Sequence, residues 1–399
     1  MEKKDFNQKP SILLATFTFP PDQNGVAEAS AACARAFRQR GWHVEVVTAK
    51  ASTSRQSFEW EGITVHEFAV TGTHYYSDPY RGELDSYVGL ISSPQWDVIL
   101  FESYAWPLYL ALPVLPYLRA KKILVSHGYR NLRWFPVRRF PFGLFRWLQN
   151  LWNSLLMLYW ARQIDRWVFL HAKSDLDSFF DLWLAQKIKH PGIRVIPNGV
   201  PPQGGGNRER FRKTLGIDPS AIVLLMVGYY SKGKDQGFAL QSFLKAALPR
   251  AVLVFIGTEF NEFSDHFRSL ASPTPKEPTL QVIWLERQTR AFTLDAFAGC
   301  DIYLSSSYLE TQPISILEAM REGVPWIARN AGSISDCPGG VVITSSDEMA
   351  AQICKLAGNP DLRHRLGQAG RLAISQKYSQ QRFSDEYAAM IDDLMAKAS

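Results

Sequence analysis

At 399 residues, 46% of them hydrophobic and 21% charged, the chain is long enough for two domains with their own cores and has no bias toward disorder. A net charge of +6 and a pI near 9.0 suit an anionic ligand or membrane surface but are too mild to name one. No run of eighteen apolar residues occurs, so no transmembrane span is expected, and four cysteines (Cys33, Cys300, Cys337, Cys354) without CxxC spacing predict small buried hydrophobes in a reducing compartment rather than a metal cluster.

The opening MEKKDFNQKPSILLATFTF mimics a secretory leader, and Ala27-Glu28-Ala29 resembles a cleavage site. Its apolar run is short and stops at Pro20-Pro21-Asp22, so residues 11–17 read better as a first strand. Residues 27–40 then read as a helix closed by Gly41, and 43–48, 97–101, 122–126 and 194–196 as strands. Residues 201–206, PPQGGG, form a turn-rich break of the kind that separates domains. The alternation then restarts, with strands at 222–227, 251–256, 281–284, 301–305, 325–328 and 340–343, a helix at 236–247, and helices to the end. Strands alternating with helices define parallel, doubly wound sheets, here two Rossmann-like α/β halves joined by a glycine-rich linker. Ligands of such sheets lie at the carboxyl ends of strands, so two facing halves would share a cleft.

One stretch, SYLETQPISILEAM (307–320), holds Glu310 and Glu318 on either side of Pro313. A proline at this place suits the first turn of a helix, because its missing N–H would be unpaired there anyway. The helix then runs to about Arg321 and is ended by Gly323 and Pro325. Glu310 is thus expected on the loop after strand 301–305, beside the positive helix end, with Glu318 slightly over a turn inside the helix.

Several ordered features resemble the retaining glycosyltransferases of family 4: PPDQNGVAE after the first strand, RGWHVEVVTA, VSHG, VIPNGV, VG with a following lysine, IGT, and CDIYLSSSYLETQPISILEAMREGVPWIA. The resemblance covers nearly the whole chain and implies the GT-B fold. Residues 1–203 would be the acceptor-side domain, with a last helix (379–399) packing back on it, and 204–378 the nucleotide-sugar donor domain. It further implies that Glu310 faces the donor sugar, that Glu318 holds ribose hydroxyls, and that the main chain of Gln312, Pro313, Ile314 and Ser315 grips sugar or phosphate. Lys234 is the implied phosphate lysine, with Lys232 off register. Tyr229 stands where the family pattern has an arginine, which removes a charge and a bidentate fork; Arg208, Arg210 and Arg212 are the nearby substitutes. Asn24 and Gly25 match a glycine turn beside the phosphate, and His127 matches a histidine at a strand end that meets the donor sugar or acceptor hydroxyl. What is implied is front-face transfer with retention, no metal and no cofactor, to a glycan or lipid-linked acceptor. The rivals are a non-catalytic sugar-nucleotide or glycan-binding module and a sugar-nucleotide epimerase.

Two further features need weighing. Asp175-Leu176-Asp177 is a D-x-D, but it follows Ser174 and opens an apolar helix, so capping explains it better than metal binding; Asp336 is given no chemistry. Residues 121–163 carry eight Lys/Arg and no Asp or Glu, with ten aromatics. Within them Leu148, Leu151, Trp152, Leu155 and Tyr159 have helical spacing. A core helix with a solvated basic face and an anionic membrane surface over 129–162 compete for this segment; a nucleic-acid partner is not expected. With a lipid-linked acceptor implied, the second is favoured, for a cytoplasmic protein peripheral on the inner face of the cell membrane.

Overall fold

The computed structural model describes residues 9–22, 24–50, 56–73, 78–129, 142–174, 179–202, 204–270 and 280–396. The chain divides into two compact units, Met1–Pro197 with Phe383–Ser399, and Asn198–Arg382.

The first unit carries strands β1 (Ser11–Thr16), β2 (His43–Ala49), β3 (Ser57–Trp60), β4 (Ile63–Phe68), a small pair β5 (Val70–Thr71) and β6 (Arg81–Gly82), then β7 (Val98–Glu102), β8 (Lys121–Ser126), β9 (Arg166–Phe169) and β10 (Ile193–Val195). Its helices are α1 (Gly25–Gln39), α2 (Leu84–Ile91), α3 (Trp106–Ala111), α4 (Phe142–Ala161) and α5 (Phe180–Lys187). The main sheet has the order β10-β9-β8-β7-β1-β2-β4-β3, parallel except for the β3/β4 hairpin. Runs such as ILLA in β1 and VILF in β7 are apolar at every position because helices cover both faces of a parallel sheet.

The second unit carries β11 (Ile222–Val227), β12 (Ala251–Gly257), β13 (Leu280–Glu286), β14 (Ile302–Ser305), β15 (Trp326–Arg329) and β16 (Gly340–Ile343). Its helices are α6 (Arg208–Thr214), α7 (Gln236–Ala246), α8 (Glu262–Leu270), α9 (Arg290–Gly299), α10 (Ile314–Glu322), α11 (Ser346–Ala357) and α12 (Pro360–Gln376). The all-parallel order is β13-β12-β11-β14-β15-β16, so strand order reverses between β11 and β14. The last helix, α13 (Gln380–Ala396), buries Phe383, Tyr387, Ile391 and Leu394 in the core that α1 forms with the first sheet. Arg166 on β9 holds it through Asp393 at 2.7 Å.

Three details differ from expectation. The division falls at Pro197/Asn198 rather than at 203, because Asn198 N already donates to Gln312 Oε1 (2.6 Å) and Val200 N to Tyr378 O (2.9 Å). The glycine run is accordingly packed at its end: a Cβ on Gly206 would meet Leu294 O at 2.2 Å and one on Gly204 the end of the Glu322 side chain at 1.5 Å, while Gly205, at φ 69°, has nothing within 4 Å. Cys354 is exposed, while the other three cysteines are buried.

One buried histidine couples the first unit to pH. His190 Nε2 donates to the carbonyls of Ala161 and Ile164 (both 3.0 Å), and its Nδ1 accepts from Gly192 N (3.1 Å). Burial holds its pKa below the usual histidine value. A depressed pKa contributes stability that is complete above the unfolded-state value of about 6.5 and is lost as pH falls through the lower folded value. His190→Asn is expected to melt lower at neutral pH yet to show a smaller fall in Tm between about pH 7 and pH 5 than the parent. An unchanged slope would assign the acid sensitivity elsewhere.

Candidate functional site

The reversal between β11 and β14 is where an open α/β sheet presents its crevice, at the carboxyl ends of the strands. The chain leaves β11 through Gly228 and Tyr229, and a tight turn brings it to Lys234 and the start of α7. Gln236 Nε2 donates to Tyr229 O (3.0 Å), and Lys234 N donates to Ser231 Oγ (3.2 Å). On the β14 side, Ser306 Oγ lies 2.9 and 2.7 Å from the carbonyls of Lys234 and Asp235, and Tyr308 N donates to Gly233 O (3.1 Å). Arg329, at the end of β15, clamps both loops. It donates to Asp235 Oδ2 (2.8 Å) and Ser306 O (3.0 Å) and stacks between the rings of Phe238 and Tyr308 at 3.6 and 4.1 Å.

This lacing places Lys234 Nζ 2.5 Å from Glu310 Oε1, with both side chains partly buried. An ammonium has three donors and this bond uses one. Lys234 also lies over the Tyr229 ring at 5.7 Å; Tyr229 itself is 54% exposed. The Glu310 loop is fixed from behind by Gly332, where a Cβ would stand 1.9 Å from Glu310 O, and by Ser333 N donating to Thr311 O (2.9 Å). Gln312 is buried. Its Oε1 serves Asn198, and its Nε2 has no bond among the described residues.

α10 begins at Ile314 with Pro313 as its N-cap and no side chain capping it. Pro313 has no N–H, so the outward-facing main-chain donors of this end are those of Ile314 and Ser315. The Ser315 hydroxyl bonds Tyr303, whose phenol is pushed up mainly by burial and further by the charges of Glu310 and Glu318. Glu318, buried on α10, is paired with Arg290 from the first turn of α9. Two anions and two cations thus meet the carboxyl edge of this sheet as the pairs Lys234–Glu310 and Arg290–Glu318.

In the first unit, the matching reversal lies between β1 and β7. Asn24 caps α1: its Oδ1 accepts from Val26 N (3.1 Å) and Ala27 N (2.9 Å), and its Nδ2 donates to Thr18 Oγ1 (2.8 Å). Its carboxamide is therefore committed to the fold. Gly25 opens α1 with nothing within 4 Å of where a Cβ would stand, which leaves that helix end open to approach. His127, just after β8, has Nε2 2.9 Å from Oε1 of Glu102, a side chain only 2% exposed at the end of β7. A carboxylate only accepts, so the neutral ring carries its hydrogen on Nε2 and presents Nδ1 as the acceptor. Glu102 also helps burial push the Cys33 thiol well up. Next to His127, Ser126 Oγ donates to Asp181 and accepts from Gly128 N (3.0 Å). Burial raises the Asp181 pKa, opposed by its bonds from Ser126 and Tyr104.

Glu102, Arg290 and Arg329 escaped sequence reasoning, although each carried a signal. Glu102 and Arg329 are the charged last residues of short apolar strands, at the edge where ligands sit. Arg290 puts a cation in the first turn of a helix, against the dipole, which makes sense only with a partner carboxylate. The arginines expected to replace a cation at Tyr229 do not do so. Arg208 and Arg212 pair with Asp301, and Arg210 pairs with Asp295, so none points to the Lys234 edge. Asp175 and Asp177 lie outside the described residues; Ser174, expected to cap them, donates to Gln186 Oε1 (2.7 Å). Arg133, Arg138 and Arg139 are likewise outside the described residues.

Comparison with solved structures defines the fold. The sucrose-phosphate synthase of Thermosynechococcus elongatus superposes with a TM-score of 0.75 at 14% identity, over 98% of this chain and 100% of that one. The Anabaena protein HepE in complex with UDP gives 0.73 at 18%, over 96% and 100%. In complex with UDP-glucose it gives 0.71 at 15%, over 96% and 99%. These likenesses establish the fold, the two Rossmann-like units of the GT-B glycosyltransferases. Residues 207–373 match the model of the family "Glycosyl transferases group 1". Trehalose synthase of Rubrobacter xylanophilus is 22% identical over 200 residues, 46% of this chain; the match spans about half (48%) of that relative's length.

Proposed function

We propose that the protein is a retaining, metal-independent glycosyltransferase that moves a sugar from a nucleoside-diphosphate sugar to a glycan or lipid-linked acceptor, in the synthesis of a cell-surface polysaccharide or glycolipid at the inner face of the membrane. The observation that carries this reading is the Lys234–Glu310 pair beside the uncapped start of α10, inside the stretch that matches the group 1 model. A sugar–diphosphate bond breaks with charge building on the departing oxygen, and a positioned ammonium with main-chain donors stabilises that charge. Glu318 offers carboxylate oxygens to ribose hydroxyls, in exchange for or alongside Arg290. In the front-face route the bond from the anomeric carbon to the diphosphate breaks and the bond to the acceptor oxygen forms on the same side. The acceptor proton passes to a diphosphate oxygen, and Glu310 balances charge without forming a covalent sugar. His127, held by Glu102, is assigned to the donor sugar or acceptor hydroxyl.

HepE has been solved with UDP and UDP-glucose, which makes uridine nucleotides the first donors to try. A thermal-shift screen of UDP-, GDP- and ADP-sugars is expected to raise Tm with one base, because a ligand that binds only the folded state stabilises it. The responsive donor should then turn over in the presence of EDTA to give a product of retained anomeric configuration by NMR. An inverted product, or a glycosyl adduct trapped on Glu310, would refute the route. Binding without turnover or hydrolysis would favour the non-catalytic module, the reading to which the uncharged Tyr229 lends weight.

A further inference from the structure

α4 buries Met157, Trp160 and Ala161 against the core of the first unit. Its other face is not polar. Leu148, Leu151, Trp152, Leu155 and Tyr159 are 50%, 44%, 65%, 51% and 56% exposed. These are the residues whose spacing, in sequence, suits a core-facing stripe; the structure turns that stripe outward. At about 100° per residue the five fall within an arc of about 100°, over a length of about 16 Å. Large apolar residues scattered singly on a surface need no explanation, but five on one arc mark a surface with a partner.

We infer that this stripe lays α4 into the interface of an anionic lipid bilayer, in the plane of the membrane. The inference rests on the reading of a lipid-linked acceptor and names the surface on which that acceptor is met. Three observations select lipid over other occupants. Along the chain, residues 129–162, which run into and through α4, carry six arginines and no Asp or Glu, a composition complementary to anionic headgroups. The stripe joins leucines to a tryptophan and a tyrosine, rings with an apolar body and a polar tip that suit the headgroup boundary. α4 is not long and apolar enough to cross a membrane, so any contact it makes with a bilayer would lie in the interface plane.

The full chain is tested by flotation with vesicles of phosphatidylcholine alone and of phosphatidylcholine mixed with phosphatidylglycerol. The parent is expected to float with the mixed vesicles. The double variant Leu151→Ser/Leu155→Ser should lose at least about tenfold in partitioning, with an unchanged Tm because both side chains are exposed. Trp152→Leu should keep flotation yet lower the quenching of tryptophan fluorescence by brominated lipid. Three results overturn the proposal: no flotation of the parent, equal flotation of parent and double variant, or a concentration-dependent dimer that the same double substitution dissociates. The donor thermal shift separates this outcome from the catalytic one. A parent that floats but responds to no nucleotide sugar removes the glycosyltransferase reading and leaves the membrane surface standing.

Discussion

Lys234→Ala is expected to reduce glycosyl transfer by about 10²–10³-fold, the loss found when one preorganised donor to a developing oxyanion is removed. The side chain runs beside Gly228, with its Cδ and Cε 3.5 Å from where a Cβ on that glycine would stand, and ends on Glu310 Oε1 at 2.5 Å. It is partly exposed, so its truncation opens no deep cavity, and the folded state should survive. Glu310→Gln keeps the shape and removes the charge. It should lower kcat with little change in KM, because a group that balances charge in the transition state contributes little to ground-state binding. Lys234→Ala should raise KM as well, since under the proposed function the ammonium would meet the diphosphate in ground state and transition state alike. The two side chains share one bond, so the double variant should cost clearly less than the product of the single losses. Initial rates of transfer for the four proteins decide the matter. Activity of Lys234→Ala within tenfold of the parent would remove the lysine from the reaction.

How this site was legible depends on the scale at which each residue acts. Long apolar strands announce themselves: residues 222–227 and 340–343 form strands over the same bounds that the pattern suggests. The loop position of Glu310 was legible from Pro313 and the strand before it, whereas Lys234 came only from the resemblance; the structure brings the two side chains within 2.5 Å. The β3/β4 hairpin was missed, although Glu61 and Gly62 at its turn both take positive φ (50° and 74°), the two-residue hairpin geometry that a Glu-Gly between SFEW and ITVHEF can signal. The glycines of 204–206 read as a turn-rich linker because composition does not distinguish glycine used for freedom, as at Gly205, from glycine used for close approach, as at Gly206. The α4 stripe has the same spacing whether it faces in or out, and only its neighbours decide. Arg208 and Arg212 lie near Tyr229 in sequence, yet β11 runs between them and carries the chain from one edge of the sheet to the other.

That last separation yields the largest stability effect. Asp301→Ala is expected to destabilise the second unit by about 3–5 kcal/mol, the cost of leaving one member of a buried ion pair alone. Asp301 precedes β14 at the amino edge of the sheet. Its Oδ2 accepts from Arg212 Nη2 (2.7 Å) and Val223 N (2.8 Å), and its Oδ1 accepts from Arg208 Nη2 (2.8 Å). Arg212 is buried, and burial pulls its pKa down from the usual arginine value. Its other bonds, to the carbonyls of Gly299 (3.0 Å), Ala221 (3.0 Å) and Pro219 (3.2 Å), satisfy hydrogens but leave its charge uncompensated once the aspartate is gone. The double variant Arg212→Met/Asp301→Leu should recover part of the loss, because the charge leaves with its partner while Val223 N and the carbonyls that Arg212 served stay unpaired. Urea unfolding of the parent, the single variant and the double variant measures this directly. The double variant, folded, should bind the nucleotide sugar as the parent does, because Asp301 and Arg212 serve the amino edge and Lys234 the carboxyl edge. Unchanged stability with weakened donor binding would reverse the assignment and return these arginines to the diphosphate, filling the place that Tyr229 leaves uncharged.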